Sequence, residues 1–261
     1  MVSYDVTEIE KTLTPEEENA LFKEKLKSLG IKAVLFDFDD TLIYTSEIFI
    51  KYMEQFINKV VEETNIEYDI INESLCRINN EEYKKMGVSP ARWNAVVERM
   101  AKEEKFRGNE NSIVNNLNIL KNIYLQQPRI RPGAVATLKE LKNAELKLGM
   151  VTHANEEWTW RKLESTEMGK YFDTIVIADE NCHKGSEHWL TAVENLEVSP
   201  SECLVIGDNL GGDVISAASI GAKTVWLKKG SSWSVYKEGE IPADTILIDE
   251  LSELLPTLKK I

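Results

Sequence analysis

Two aspartates, Asp37 and Asp39, stand where an apolar run over residues 31–36 gives way to Asp37-Phe38-Asp39-Asp40-Thr41-Leu42. The run is short and nearly continuous, which predicts a strand buried on both faces in a parallel sheet. Open α/β sheets place ligands at the carboxyl ends of their strands. Two carboxylates held there repel each other unless a proton or a cation offsets the charge. Oxygen ligands of this kind suit a hard divalent ion such as Mg²⁺.

Three further strand ends carry polar residues. A strand over 148–151 leads into Thr152-His153-Ala154-Asn155. Lys184 stands at a helix entry, after a strand that runs to Ala178-Asp179. A strand over 204–206 ends in Gly207-Asp208-Asn209-Leu210-Gly211-Gly212-Asp213. Phosphoryl transfer needs a nucleophile in line with phosphorus, a group that gives and takes a proton, and a cation against the phosphate charge. Each residue also has an ordinary reading. Thr152 is a good helix N-cap, Lys184 a solvated loop lysine, Gly207-Asp208 a turn, Asp213 a helix-start acid, and His153 a structural histidine. What favours phosphoryl chemistry is their occurrence together, in this order, on one side of an alternating sheet.

The remaining pattern supplies the elements. Thr14-Pro15-Glu16-Glu17 is a helix start with a capping box, and Gly30 ends that helix. Between residues 45 and 128 the apolar positions recur at helical spacing: Phe49, Met53, Phe56 and Val60; Ile71, Leu75 and Ile78; Trp93, Val96, Val97 and Met100 after a Ser89-Pro90 cap; Ile113, Leu117, Leu120 and Tyr124. None of these stripes reads as a strand. From 133 onward helices alternate with strands over 146–151, 171–178, 203–206, 224–227 and 245–248, with a helix over 214–220. Alternation of this kind predicts an α/β, doubly wound, mainly parallel Rossmann-like sheet. An all-helical block is inserted after its first strand.

Composition narrows the classes. The chain has 261 residues, 43% hydrophobic and 29% charged, with a net charge of -13. Nucleic-acid binders present a basic face, and no Lys/Arg cluster of that size is present. The same charge disfavours anionic membranes, and no apolar run approaches the roughly 18 residues of a membrane span. Three scattered cysteines, Cys76, Cys182 and Cys203, fit a reducing cytoplasm. The acidic N-terminus has no signal-peptide pattern.

Asp37-Phe38-Asp39-Asp40-Thr41-Leu42, Val151-Thr152, Lys184 and Gly207-Asp208-x₄-Asp213 resemble the four motifs of the haloacid dehalogenase superfamily. The helical block resembles that family's cap of the first type, and the resemblance covers residues 31 to 228. With the helix read before Gly30, it divides the expected chain into an N-terminal helical extension over 1–30, a catalytic core over 31–44 and 129–261, and a helical cap over 45–128. It further implies a Mg²⁺-dependent phosphatase that acts on a small phosphorylated metabolite through an aspartyl-phosphate. Asp37 would be the nucleophile and Asp39 the acid/base, with Thr152 and Lys184 on the phosphate. Asp37, Asp208 and the Asp39 main-chain carbonyl would hold Mg²⁺, supported by Asp213 and Asn209. His153 and Asn155 are expected to meet the substrate, as are Arg92 or Asn94 from the cap.

Two departures from the pattern stand out. Gly185 follows the motif lysine where the family usually has Pro. The second aspartate of the first motif, absent from dehalogenating members, is present as Asp39, which points to phosphate chemistry. A phosphosugar mutase shares these motifs. A catalytically silent binding protein or phospho-receiver is the non-enzyme alternative; the order of the motifs and the helical insertion disfavour a receiver. Monomer and homodimer both stay open.

Overall fold

The computed structural model describes residues 14–230 and 233–261. Its centre is a six-stranded sheet, every pair parallel, in the order β5-β4-β1-β6-β7-β8. The strands are β1 (Ala33–Phe36), β4 (Lys147–His153), β5 (Thr174–Ala178), β6 (Cys203–Gly207), β7 (Lys223–Leu227) and β8 (Ile246–Ile248). All four β1 residues are buried. Alternate side chains enter different cores, as the two-residue period of a strand requires. Val34 and Phe36 join Leu148, Met150, Leu204 and Ile206 on one face. Ala33 and Leu35 join Val151 and Val205 on the other.

Helices cover both faces. On the first lie α1 (Pro15–Ser28), α7 (Ala134–Asn143), α8 (Glu156–Thr166) and α11 (Leu254–Lys260), through Phe22, Leu26, Leu138, Leu141, Leu163 and Leu258. On the second lie α9 (Ser186–Asn195) and α10 (Ser216–Ser219), through Trp189, Val193 and Ala217. The Thr14 side chain and Glu17 close a capping box at the start of α1.

After β1 the chain turns through a short β2 (Ile43–Tyr44) into α2 (Ser46–Thr64), α3 (Tyr68–Met86), α4 (Arg92–Ala101), α5 (Glu110–Asn115) and α6 (Leu117–Lys121). These helices form their own core around Phe56, Trp93, Val96, Phe106 and Leu120. Trp158, from α8 of the sheet layer, enters that core too. The chain returns through β3 (Arg129–Ile130), which pairs antiparallel with β2: Ile43 faces Ile130 and Tyr44 faces Arg129. Both passages between sheet and helical block therefore lie side by side.

Local details differ from the periodicity. The stripe from Ile113 to Tyr124 is three pieces, α5, α6 and a 3-10 turn over Asn122–Leu125, because the chain breaks at Asn116. Residues Gly169–Tyr171 form a 3-10 turn, so β5 begins at Thr174 rather than 171. The expected helix over 214–220 is instead a π-turn over Leu210–Ile215 that runs into α10. Ser89 does not cap α4 with its side chain; its hydroxyl donates to Glu180 across the block boundary. The ribbon β2–β3 and the C-terminal α11 have no counterpart in the sequence pattern.

Candidate active site

β1 lies between β4 and β6 and runs parallel to both, with Phe36 paired to Met150 and to Ile206. Asp37, Thr152 and Asp208 therefore emerge on one edge. The Asp37 amide N–H donates to the Ile206 carbonyl, 2.9 Å away, which continues the ladder and fixes the first aspartate. Gly207 lets Asp213 approach: a Cβ at that position would fall 2.2 Å from Asp213 Oδ2. Any side chain there would expel this carboxylate from the site.

Lys184 binds these residues together. Its Nζ donates to Asp37 Oδ1, lies 2.7 Å from Asp213 Oδ1 and donates to the Val151 carbonyl at 3.1 Å. All three side chains are buried. Burial pushes the Asp37 carboxyl up to about 7; Lys184 opposes the shift, while Asp213 and Asp39 add to it. Burial also drives Asp208 well above the usual carboxylate range, with Asp37 and Asp213 reinforcing it. For Lys184 burial works against the charge, but Asp213 and Asp37 together outweigh it and hold the ammonium above its ordinary range.

One buried lysine does not balance this charge. Asp37, Asp208 and Asp213 offer ligand atoms that all lie within 4.8 Å of one another. Asp37 Oδ2 and Asp208 Oδ2 are buried and have no hydrogen-bond partner. Buried acceptors are nearly always satisfied, so two orphaned carboxylate oxygens at one strand edge fit a divalent cation with oxygen ligands. Asp208 Oδ1 accepts from the Thr41 hydroxyl at 3.3 Å.

Asp39 faces separate partners. Its Oδ1 accepts from Lys162 Nζ and the Thr45 hydroxyl, and its Oδ2 accepts from Thr152 Oγ1 at 3.3 Å. The side chain lies outside the Asp37–Asp208–Asp213 cluster, which leaves the main-chain carbonyl as the group it could offer a metal. Lys162 is a site residue that the sequence reading missed. It is 1% exposed, and its Nζ lies 4.3 Å from the Trp158 ring centroid. The available signal was helical spacing: Trp158, Thr159, Lys162, Leu163 and Thr166 form the buried stripe of α8. Asp40 and Arg131 were also missed. Asp40 Oδ1 accepts from the Thr45 and Ser46 amides at 2.9 and 2.8 Å, at the start of α2. Arg131 Nη2 donates to the Asp40 and Gly230 carbonyls at 2.6 and 2.8 Å.

The other expected residues separate into two groups. His153 and Arg92 line the cavity that opens over Asp37 and Asp39; Asn94 does not. Burial first, then Lys184, lowers His153 to about 4, so its ring is neutral. Asn155 and Asn209 line the same cavity, but their side chains are committed locally. Asn155 Oδ1 caps α8 at the Trp158 amide, and its Nδ2 donates to Glu180. Asn209 Oδ1 accepts from the Gly211 and Gly212 amides, both at 3.1 Å. What Asn209 gives the cluster is its backbone N–H, 3.0 Å from Asp213 Oδ2.

Comparisons with known proteins show the family and the fold. The sequence profile described as "Haloacid dehalogenase-like hydrolase" matches residues 34–227. A glyceraldehyde 3-phosphate phosphatase of Pyrococcus furiosus is 28% identical over 234 residues, 88% of this chain and 94% of that one. A putative pyrophosphatase PpaX of Clostridium perfringens is 29% identical over 88% of this chain and 99% of its own. Among solved structures, a HAD phosphatase from Thermococcus onnurineus aligns with a TM-score of 0.60 and 27% identity, over 87% of this chain and 98% of that one. A haloacid dehalogenase-like hydrolase from Xanthomonas campestris aligns at 0.68 and 14% identity, over 88% and 92%, and shares the fold. Over residues 34–227, from β1 to β7, the chain belongs to the haloacid dehalogenase-like hydrolases.

Proposed function

We propose that this hydrolase is a Mg²⁺-dependent phosphatase that cleaves a small phosphorylated metabolite through an aspartyl-phosphate on Asp37. The observation that carries the reading is Lys184, buried between Asp37 and Asp213, beside an Asp37 oxygen with no partner. The names of the relatives, phosphatases of glyceraldehyde 3-phosphate and of pyrophosphate, support phosphate as the group removed. The block over 45–128 serves as the cap, and the core comprises 31–44 and 129–261. Three cysteines without disulfides fit a cytoplasmic setting.

Asp37 and Asp208 would hold the cation, with the Asp39 main-chain carbonyl, and Asp213 would stand behind them. Mg²⁺, when bound, offsets the phosphate charge so that an anionic nucleophile can approach. One oxygen of the Asp37 carboxylate then bonds to phosphorus as the ester P–O bond breaks. Asp39 gives its proton to the leaving oxygen. In the second half Asp39 takes a proton from water, the water oxygen bonds to phosphorus, and the bond to Asp37 breaks. Lys184 and the Thr152 hydroxyl hold phosphate oxygens through both halves.

Exhaustive chelation should abolish phosphate release from a panel of phosphorylated metabolites. Mg²⁺ should restore it, and Ca²⁺ poorly, because Ca²⁺ takes a larger and looser oxygen shell. Full activity after chelation would overturn the metal assignment. An isomerised sugar phosphate in place of free phosphate would mark a mutase.

Lys162 fixes Asp39 from α8, so its loss should tell on proton transfer. Lys162→Met is expected to slow hydrolysis of alkyl phosphates by about 10²-fold, the lower end of what positioned acid catalysis contributes. An aryl phosphate, whose leaving oxygen needs little protonation, should lose far less. Equal losses on both esters would mean that Lys162 only supports the fold.

A further inference from the structure

The cavity has a second end. Beyond Asp37 and Asp39 it is lined from the helical block by Asn79 and Tyr83 of α3 and by Arg92 of α4. Phe49, Trp158 and Trp233 form an aromatic wall along it; Phe49 lies 6.1 and 6.2 Å from the two indoles. Arg92 is 4% exposed. Its Nη1 donates to the Gly87 carbonyl, and its guanidinium lies over the Tyr83 and Trp93 rings at 5.7 and 5.1 Å. Its Nε is buried without a partner. Among the described residues, no carboxylate forms an ion pair with it.

A buried guanidinium normally has an anion beside it, because desolvating an unpaired charge costs more than ring faces and one carbonyl return. At the other end of this cavity Asp39 pairs with Lys162 and Asp37 with Lys184, Asp40 caps α2, and Asp208 belongs to the cluster that fits a cation. The far end of the cavity therefore holds a buried cation that no carboxylate among the described residues neutralises.

We infer that the cavity takes a doubly anionic substrate, a phosphate ester whose leaving group carries a second oxyanion, carboxylate or phosphate, held by Arg92. The inference rests on the phosphatase reading for which end of the ligand reacts. Arg92 determines which ester enters, and the aromatic wall confines the carbon chain between the two charges. A neutral leaving group of the same length would leave the guanidinium unpaired.

Binding tests this apart from turnover. With Mg²⁺ present, calorimetric titration compares 3-phosphonopropionate and propane-1,3-diphosphonate with propylphosphonate, which replaces the second anion by a methyl group. At least one dianionic-ended ligand should bind ten times more tightly or better, and which one does so identifies the oxyanion. Arg92→Met should bring all three ligands to the same affinity, and Arg92→Lys should restore part of the preference. Equal binding of the three ligands by the unaltered protein overturns the inference, as does a preference that Arg92→Met leaves intact. If no phosphate ester of any kind is hydrolysed, the phosphatase reading fails, and the phosphonate ratio still decides the anion subsite.

Discussion

Asp37→Asn should reduce turnover by at least about a thousandfold, as loss of a nucleophile does in enzymes that act by covalent catalysis. The substitution keeps the shape and removes the anion. It also removes one of three clustered acids and leaves Lys184 paired with Asp213, so the folded protein should survive it. Asp39→Asn is the informative partner. It should accept phosphate from an ester with a good leaving group and then discharge it slowly, by the roughly 10²–10⁴-fold that general base catalysis contributes. Acid quench followed by peptide mapping should find that phosphate on Asp37. Phosphate on Asp39 would reverse the two roles. Turnover with no trapped phosphate in any variant would favour direct attack by water.

Gly87→Ala should cost about 10²-fold in kcat/KM on the natural substrate, although Gly87 lies outside the catalytic cluster. Gly87 ends α3 at φ +57°, and a Cβ there would fall 2.4 Å from the Glu180 carbonyl oxygen and 2.6 Å from that of Cys182. Both are backbone atoms, so no rotamer change relieves the clash. The α3–α4 turn sits on the loop after β5 through the Val88 amide and the Ser89 hydroxyl, which donate to Glu180 at 2.9 and 3.0 Å. Ordinary contact begins near 3.4 Å, so the two backbones must part by roughly 1 Å, a misplacement that costs about 10²-fold in rate. The glycine-only backbone conformation adds about 1–3 kcal/mol of destabilisation. Steady-state kinetics on the natural substrate and on a small aryl phosphate checks this, and the aryl ester should suffer less. Unaltered kcat/KM on the natural substrate would show that seating this turn does not matter.

What the sequence made legible follows from how local each signal is. Asp37, Thr152, Lys184, Asp208 and Asp213 each sit at or just beyond a strand end, and strand ends are readable from short apolar runs. The geometry brings all five onto one edge. Lys162 was not legible as a site residue, because its role depends on a contact with Asp39 that spans 123 positions. Between Arg161 and Leu163 it reads as a solvated lysine until α8 is seen to bury that face. Asn155 and Asn209 show what position beside a motif does not reveal: both line the cavity, but their side-chain oxygens accept from backbone amides at a helix start. The β2–β3 ribbon was invisible because two residues per strand carry no period. The single stripe from Ile113 to Tyr124 hid a break at Asn116, since short helical pieces keep the same apolar face.

That ribbon has an evolutionary consequence. Because Tyr44 and Arg129 are ladder partners, the chain leaves the sheet and rejoins it at neighbouring positions. Everything between them is inserted at one place in the chain, although it also packs on the sheet layer through Trp158 and the turn at Val88 and Ser89. The strand order and the Asp37, Lys184 and Asp208 positions are set by segments outside this insertion. Selection for a new ester can therefore act on residues 45–128 while the phosphoryl chemistry stays fixed, and the two halves of the gene can diverge at different rates.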